Sequence, residues 1–183
     1  VQAEDGVYGD LEGMLACIQR VAPTSVWPGW GYLSESEDFV ARLEQLGTTF
    51  LGPSSKAIEA LGDKIACSAL ANRLEVPILP WSGPAPLQSA ADVRAHSARI
   101  GLPVMLKAAL GGGGRGIRPV RSLDEVDAVY ALVTQEVAGP IFVTKLAERC
   151  RHLEVQLVGD GKDVMHLYTR DCSIQRRNQK LIE

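Results

Sequence analysis

Five of the six residues from 111 to 116 are glycine, and this GGGGRG run lies between two apolar stretches, PVMLKA and IRPV. A helix does not run through such a stretch, because each interior glycine costs about 1 kcal/mol relative to alanine. The flanking segments read as strands, so the block is expected to form a small mixed β/α unit with the glycines on a hairpin-like loop. Glycines serve two ends there. They make a flexible linker, or they let successive backbone N–H groups approach an anion closely because no Cβ intervenes. GGGGRG fits neither GxGxxG nor GxxxxGK[ST], since no Lys-Ser/Thr follows and no long helix starts at once. On the glycines alone both readings stay open. Lys107, ending the first strand, and Arg115, inside the loop, are cations that could reach the same phosphates. The plain alternative for Lys107 is a solvated strand end.

Around this block the chain alternates strand and helix signals. Residues 24–27 and 48–51 read as strands. Between them Ser34 and Glu37 have capping-box spacing, Phe39, Val40, Leu43 and Leu46 recur at helical period, and Gly47 closes the helix. Strand, helix and strand in such short order predict a βαβ unit with parallel strands. Residues 54–74 read as helix interrupted near Gly62-Asp63, and the proline-rich VPILPWSGPAP, 76–86, reads as a connector and domain boundary. Ser89 with Asp92, and Ser122 with Glu125, open helices that run to Ile100 and Val137. IFVTKL, RHLEVQLV and DVMHLYTR are strands, the last two joined by the turn GDGK. In RHLEVQL, Leu153, Val155 and Leu157 face one way, while His152, Glu154 and Gln156 face the other. That polar face is either the solvated side of a sheet or a surface on which a ligand lies. The tail RDCSIQRRNQK collects Arg170, Arg176, Arg177 and Lys180 with Gln175 and Asn178. It is solvated charge or a site for an anionic substrate.

Bulk properties remove several function classes. With 183 residues, 46% hydrophobic and 22% charged, the chain is of the soluble globular type, forming one ordinary domain or two small ones. A net charge of -3 gives no basic excess for nucleic acid or an anionic membrane surface. No apolar run reaches the roughly 20 residues that span a bilayer. The N-terminus VQAEDGVYGDLEG has no apolar core of a signal peptide, and it lacks an initiator Met, which points to a fragment or a processed chain. Cys17, Cys67, Cys150 and Cys172 are dispersed, as are His96, His152 and His166. Reduced, mostly buried thiols in a cytosol-like compartment are expected, with no metal site among them.

VWPGWGYLSE, FLGPSSKAIEALGDKIACSALA, VPILPWSG, PVMLKAALGGGGRGIR, RHLEVQL and RDCSIQRRNQK stand in the order found in the biotin carboxylase component of biotin-dependent carboxylases, which the chain resembles from residue 8 to residue 183. VWPGWG and LPWSG are most similar to single-chain, eukaryotic-type acetyl-CoA carboxylase. YLSESEDF is more similar to the bacterial, pyruvate or propionyl-CoA enzymes. The resemblance implies an α/β fold of ATP-grasp type. Residues 1–52 would be part of an N-terminal α/β domain, 53–78 a helical linker, 79–145 the ATP-grasp lid, and 146–183 the start of the central domain. GGGGRG would then be the lid loop that closes over ATP phosphates.

Carried across position by position, the resemblance implies nucleotide contacts from Lys64, Lys107, Gly111, Gly112, Gly113, Gly114, Arg115 and Gly116, and an apolar adenine contact from Ile117. Lys145 and Ala147 would offer backbone to adenine at a hinge, and His152 and Gln175 would lie around ribose and phosphates. Lys180 would be catalytic, near bicarbonate and phosphate. Asn178 stands where the family has His, and Thr144 where bacterial members have Glu. The implied cofactors are ATP, Mg²⁺ and carrier-bound biotin, and the implied partners are bicarbonate and the biotin carrier and carboxyltransferase domains. The family's Mg²⁺-binding glutamates and its bicarbonate and biotin residues would follow Glu183, so no metal ligand is assigned and the isolated chain is expected to be inactive. A cytoplasmic or organellar setting is expected. Two alternatives accompany this reading: another ATP-grasp ligase of the carbamoyl-phosphate synthetase type, and a non-catalytic nucleotide-binding module.

Overall fold

The computed structural model describes residues 7–29, 31–111, 114–176 and 179–180. Leu11, Met14, Leu15 and Ile18 recur at helical spacing and form α1 (Leu11–Val21), which the sequence reading did not include. The helix ends at Ala22, in the left-handed region, whose N–H reaches the carbonyl of Ile18. Strands β1 (Ser25–Val26) and β2 (Thr49–Phe50) pair in parallel, and α2 (Glu37–Gln45) joins them as the expected βαβ unit. Leu15, Ile18, Phe39 and Leu43 form its core, with Phe39 edge-on to Phe50 at 6.3 Å between ring centroids.

The cap of α2 is displaced from the expected one. Ser34 lies inside a 3-10 turn (Tyr32–Glu35), and the hydroxyl that accepts the Phe39 N–H, at 3.3 Å, is that of Ser36. A cap needs an extended backbone just before the helix, which Ser36 has and a residue within a helical turn does not. Helices α3 (Ser55–Gly62) and α4 (Lys64–Arg73) break where Gly62-Asp63 predicted. Asp63 is extended and its carboxylate accepts the Ala66 N–H at 2.7 Å. Glu44 ties α3 back to α2 by accepting both the N–H and the hydroxyl of Ser55.

The chain divides into two compact units between Val76 and Pro77. In the second, α5 (Ala90–Ile100) precedes β3 (Val104–Ala108), β4 (Ile117–Val120), α6 (Val126–Glu136) and β5 (Ile141–Lys145). β3 is the central strand, with β4 and β5 both antiparallel to it. Alternation puts Val104, Leu106 and Ala108 on one face, where they pack with Val120, Ile141 and Val143 against Val93 of α5 and Val126 and Val133 of α6. Each of these valine, leucine and isoleucine side chains contributes about 1.5–3 kcal/mol when fully buried. Ser89 caps α5, and Ser122 with Glu125 forms the expected capping box, opening a short 3-10 turn (Leu123–Glu125) that leads into α6.

The proline-rich stretch is more than a connector. Trp81 and Leu87 bridge to Thr144 and Ile141 on the outer edge of β5, and both are buried. The Ser82 N–H donates to the Val143 carbonyl and its hydroxyl accepts the Val143 N–H. Pro80, Pro84 and Pro86 lack N–H groups, so this pairing stays a set of isolated bridges and does not become a strand.

β6 (Leu153–Gly159) and β7 (Val164–Asp171) form the expected antiparallel hairpin. Its register slips between Val155 and Leu157, leaving Tyr168 as an extra residue with φ 65° in a bulge. Leu153, Val155 and Leu157 share a face, as alternation requires, and remain about half exposed at 50%, 57% and 56%. The tail, read as solvated charge or a site for an anionic substrate, also contains two short antiparallel strands, β8 (Gln175–Arg176) and β9 (Gln179–Lys180). The thiols are less buried than expected: Cys172 is buried, Cys17 and Cys67 are half-buried, and Cys150 is exposed in the loop after β5. No helix among the described residues is long and apolar enough to cross a membrane.

Candidate functional site

Lys107 occupies the face of the three-stranded sheet opposite to α5 and α6. Directly across the ladder lie Ile117 on β4 and Phe142 on β5, so these three side chains form one row. Phe142 is buried, and the Lys107 ammonium sits 5.8 Å from its ring centroid, a cation–π contact. The next row along the strands is Met105, Pro119 and Thr144. The Thr144 hydroxyl is buried with no hydrogen-bond partner among the described residues. Such a buried orphan calls for a ligand or an explanation.

The row of Lys107 ends at the glycine loop, which is built by backbone hydrogen bonds. The Ala108 N–H donates to Gly116 O at 2.8 Å, and the Gly111 N–H donates to Ala108 O at 2.9 Å. Gly111 stands where a Cβ would lie 2.6 Å from the Arg115 carbonyl oxygen, so this turn admits glycine alone. Gly116 has φ +66° and a Cβ there would meet Val137 Cγ2 at 2.8 Å. Gly114 also has positive φ, while Gly112 and Gly113 lie outside the described residues. Arg115, expected to point at phosphates, is exposed and donates to the Glu136 carbonyl at the end of α6 at 3.4 Å.

Two residues absent from the sequence reading complete the loop. Glu136 accepts the Gly116 N–H at 2.8 Å and pairs with the Arg118 guanidinium. Arg118 in turn donates to the carbonyls of Gly114 and Ile117, at 2.9 and 2.8 Å. One signal was available in the sequence. A carboxylate in the last turn of a helix opposes the macrodipole and needs a local partner.

At the end of β5, the Lys145 ammonium donates to the carbonyls of Gly101 and Leu102, at 2.8 and 2.9 Å, and its backbone N–H donates to Pro80 O. Its side chain and its backbone N–H are thus both engaged within the protein. Ala147 O accepts the Cys150 thiol at 3.6 Å. His152 and Gln175 meet through Cys172: the Cys172 N–H donates to His152 O, and the Gln175 amide donates to Cys172 O. The His152 ring lies 3.6 Å from Glu154, which also pairs with Arg170 at 2.8 Å. Asp171 accepts from Ser173 and Arg151, which hold its carboxyl well below the usual carboxylate range, the Ser173 hydroxyl contributing most. Ser173 Oγ accepts the His152 N–H at 2.9 Å, so this network fixes the backbone that carries His152.

Lys180 pairs with Gln175 across β8 and β9, and Asn178 lies outside the described residues. Lys64 belongs to the first unit, where it opens α4 just after the Asp63 cap. Among the described residues no group of three or more His, Cys, Asp or Glu side chains is placed to hold a metal ion.

The family model described as "Carbamoyl-phosphate synthase L chain, ATP binding domain" matches residues 63–183, and the one described as "Biotin carboxylase, N-terminal domain" matches residues 1–58. Acetyl-CoA carboxylase 1 of Oryza sativa subsp. japonica is 42% identical over 197 residues, covering 96% of this chain and 9% of the rice protein. Pyruvate carboxylase of Aspergillus niger is 43% identical over 184 residues, covering 97% of this chain and 15% of that protein. Among solved structures, the biotin carboxylase domain dimer of Hydrogenobacter thermophilus 2-oxoglutarate carboxylase, in complex with MgADP, ADP and bicarbonate, superposes with a TM-score of 0.91 at 36% identity. That match covers 99% of this chain and 42% of the other. The chain therefore spans less than half the length of each of these relatives.

Proposed function

Because this chain belongs to the biotin carboxylase family and has its ATP-grasp type of fold, we propose that it supplies nucleotide-binding elements for the ATP-dependent carboxylation of biotin. ATP activates bicarbonate as carboxyphosphate, and CO₂ then passes to N1 of a biotin held on a carrier domain. The observation that carries this reading is the single row of Ile117, Lys107 and Phe142 ending at a glycine loop. In this reading the Lys107 cation and the glycine loop that follows it border the position a polyphosphate would take. The half-buried Ile117 offers an apolar contact to a base, and the orphaned Thr144 hydroxyl lies on the same face. These features fit a nucleotide.

In this reading Lys107 and the loop N–H groups offset phosphate charge as it develops, in a site from which water is excluded. Exclusion of water protects a labile acyl phosphate from hydrolysis. His152 and Gln175 orient the ribose and phosphates, Lys145 and Ala147 present backbone to the adenine, and Lys64 is a nucleotide-binding lysine by the family resemblance alone. Lys180 acts on bicarbonate, and Asn178 stands in the sequence where the family has His. Magnesium supplies further charge neutralisation when bound, but the described residues include no cluster suited to hold it. The part of the work open to these residues is neutralisation by lysine and backbone. Residues 79–145 act as the lid and 146–183 open the central domain.

The acyl acceptor is a finer proposal. VWPGWG and LPWSG support acetyl-CoA carboxylase, whereas the identities to acetyl-CoA and pyruvate carboxylases are nearly equal at 42% and 43%. The natural full-length protein, assayed for bicarbonate-dependent phosphate release from ATP with and without free biotin, tests the first half-reaction. Absence of biotin stimulation refutes it. Carboxylation of acetyl-CoA against pyruvate in the same preparation decides the acceptor.

A further inference from the structure

Glu136 stands at the C-terminal end of α6, where the free carbonyls already carry partial negative charge. A carboxylate placed there is held by something other than the helix. Among the described residues its partners lie on or beside the glycine loop: the Gly116 N–H at 2.8 Å and the guanidinium of Arg118. Arg118 lies opposite Leu106, on the helix-packed face, and reaches back to the Gly114 carbonyl at 2.9 Å. Arg115 adds a bond to the Glu136 carbonyl. Gly116 is at the same time pressed against Val137, the residue after Glu136, and its carbonyl is fixed by the Ala108 N–H. One arm of the loop, Gly114 to Gly116, is therefore clamped to the end of α6 from behind the sheet.

We propose that Glu136, through Arg118, is a positioning residue for nucleotide phosphates, setting the conformation of the Gly114–Gly116 arm of the loop that borders them. The proposal rests on the reading of this loop as nucleotide-binding. Glycine has the most backbone freedom to lose, so a loop that must offer its N–H groups in one geometry binds more tightly when part of that ordering is already done. Glu136 does this without approaching the anion: it acts from the helix side, and Arg118 balances its charge. A carboxylate facing the phosphates would instead repel them.

The test uses the natural full-length protein and its Glu136→Ala and Glu136→Gln variants, with ATP as the probe. In Glu136→Ala, kcat/KM for ATP falls about 10- to 100-fold, the loss that small misplacement of a binding group produces. KM for bicarbonate does not move, and amide exchange of the segment 109–118 quickens. Glu136→Gln keeps an oxygen for either the Gly116 N–H or the Arg118 guanidinium but sets an NH₂ against the other, and its loss is intermediate. It also decides the matter if the alanine variant does not fold. Lowered thermal stability with unchanged ATP kinetics and unchanged exchange at 109–118 overturns the proposal. Failure of the unmodified protein to bind ATP overturns the nucleotide reading itself, which the wild-type arm reports separately from the clamp.

Discussion

The ammonium of Lys107 stands over the ring of Phe142, 5.8 Å from its centroid, across one strand pair. Phe142 is buried, so the ring is a fixed platform and the lysine is aimed by a rigid element. Lys107→Met keeps most of the apolar stem and removes the charge. A charge-assisted contact to phosphate is worth about 1.5–3 kcal/mol, so ATP affinity in the full-length protein falls roughly 10- to 150-fold. Calorimetric titration with ATP reads this directly, alongside biotin carboxylation. A change within about 0.5 kcal/mol would make Lys107 an ordinary solvated strand end.

The preceding residue should respond in the opposite way. Leu106 points to the helix-packed face and is fully buried. Leu106→Ala costs about 2–5 kcal/mol of stability, through lost burial and the cavity left behind. Denaturant unfolding shows the loss, while nucleotide affinity of the folded fraction stays close to wild type. Neighbours in sequence thus separate into a binding defect and a folding defect.

Gly116 is expected to be the least replaceable of the described loop glycines with positive φ. Alanine there meets both a left-handed backbone, at about 1–2 kcal/mol, and overpacking against Val137, at about 1–3 kcal/mol. Gly47 is the control: it has φ +72° with nothing within 4 Å of an added Cβ. Gly47→Ala bears the backbone cost alone. Thermal melts of the two variants should differ, with Gly116→Ala the less stable.

Acid stability follows from the carboxylates. Asp171 is held low by Ser173 and Arg151, and Glu44, Asp92, Glu125 and Asp160 are lowered by hydroxyl or N–H donors at helix starts and turns. A carboxyl whose folded pKa is depressed adds stability above its unfolded value, near 3.9–4.3, and the gain is lost as pH falls through the folded value. Melting temperature should therefore hold between about pH 7 and 5 and decline below about pH 4. Ser173→Ala brings Asp171 back toward its unfolded value, so the variant declines less steeply below that point. Melts across this range check both the direction and the slope.

The βαβ unit, the break at Asp63, the caps Ser89 and Ser122, and the glycine hairpin were legible because each is encoded locally, by period, cap or turn chemistry. Ser36 was not chosen over Ser34, because an intervening 3-10 turn has no signature in spacing. The role of 80–87 was hidden too: its pairing partners, Ile141, Val143 and Thr144, lie some sixty residues away. Lys107 is singled out in the sequence by its place near a strand end. Its row with Ile117 and Phe142 depends on strand register, which a single sequence does not fix. Glu136 and Arg118 escaped for the same reason, being 18 residues apart and joined only by the fold.

The pairing of Trp81, Ser82 and Leu87 with β5 has a counterpart at the opposite side of the sheet, where the four-residue β4 carries Pro119. Open sheet edges are templates on which other chains stack and aggregate. Here one margin is covered by a segment that has prolines at 80, 84 and 86, and the other margin is short and interrupted by proline. Neither border offers an uninterrupted ladder of donors to an incoming strand. The three-stranded sheet can thus end at its own margins without inviting a second polypeptide to extend it.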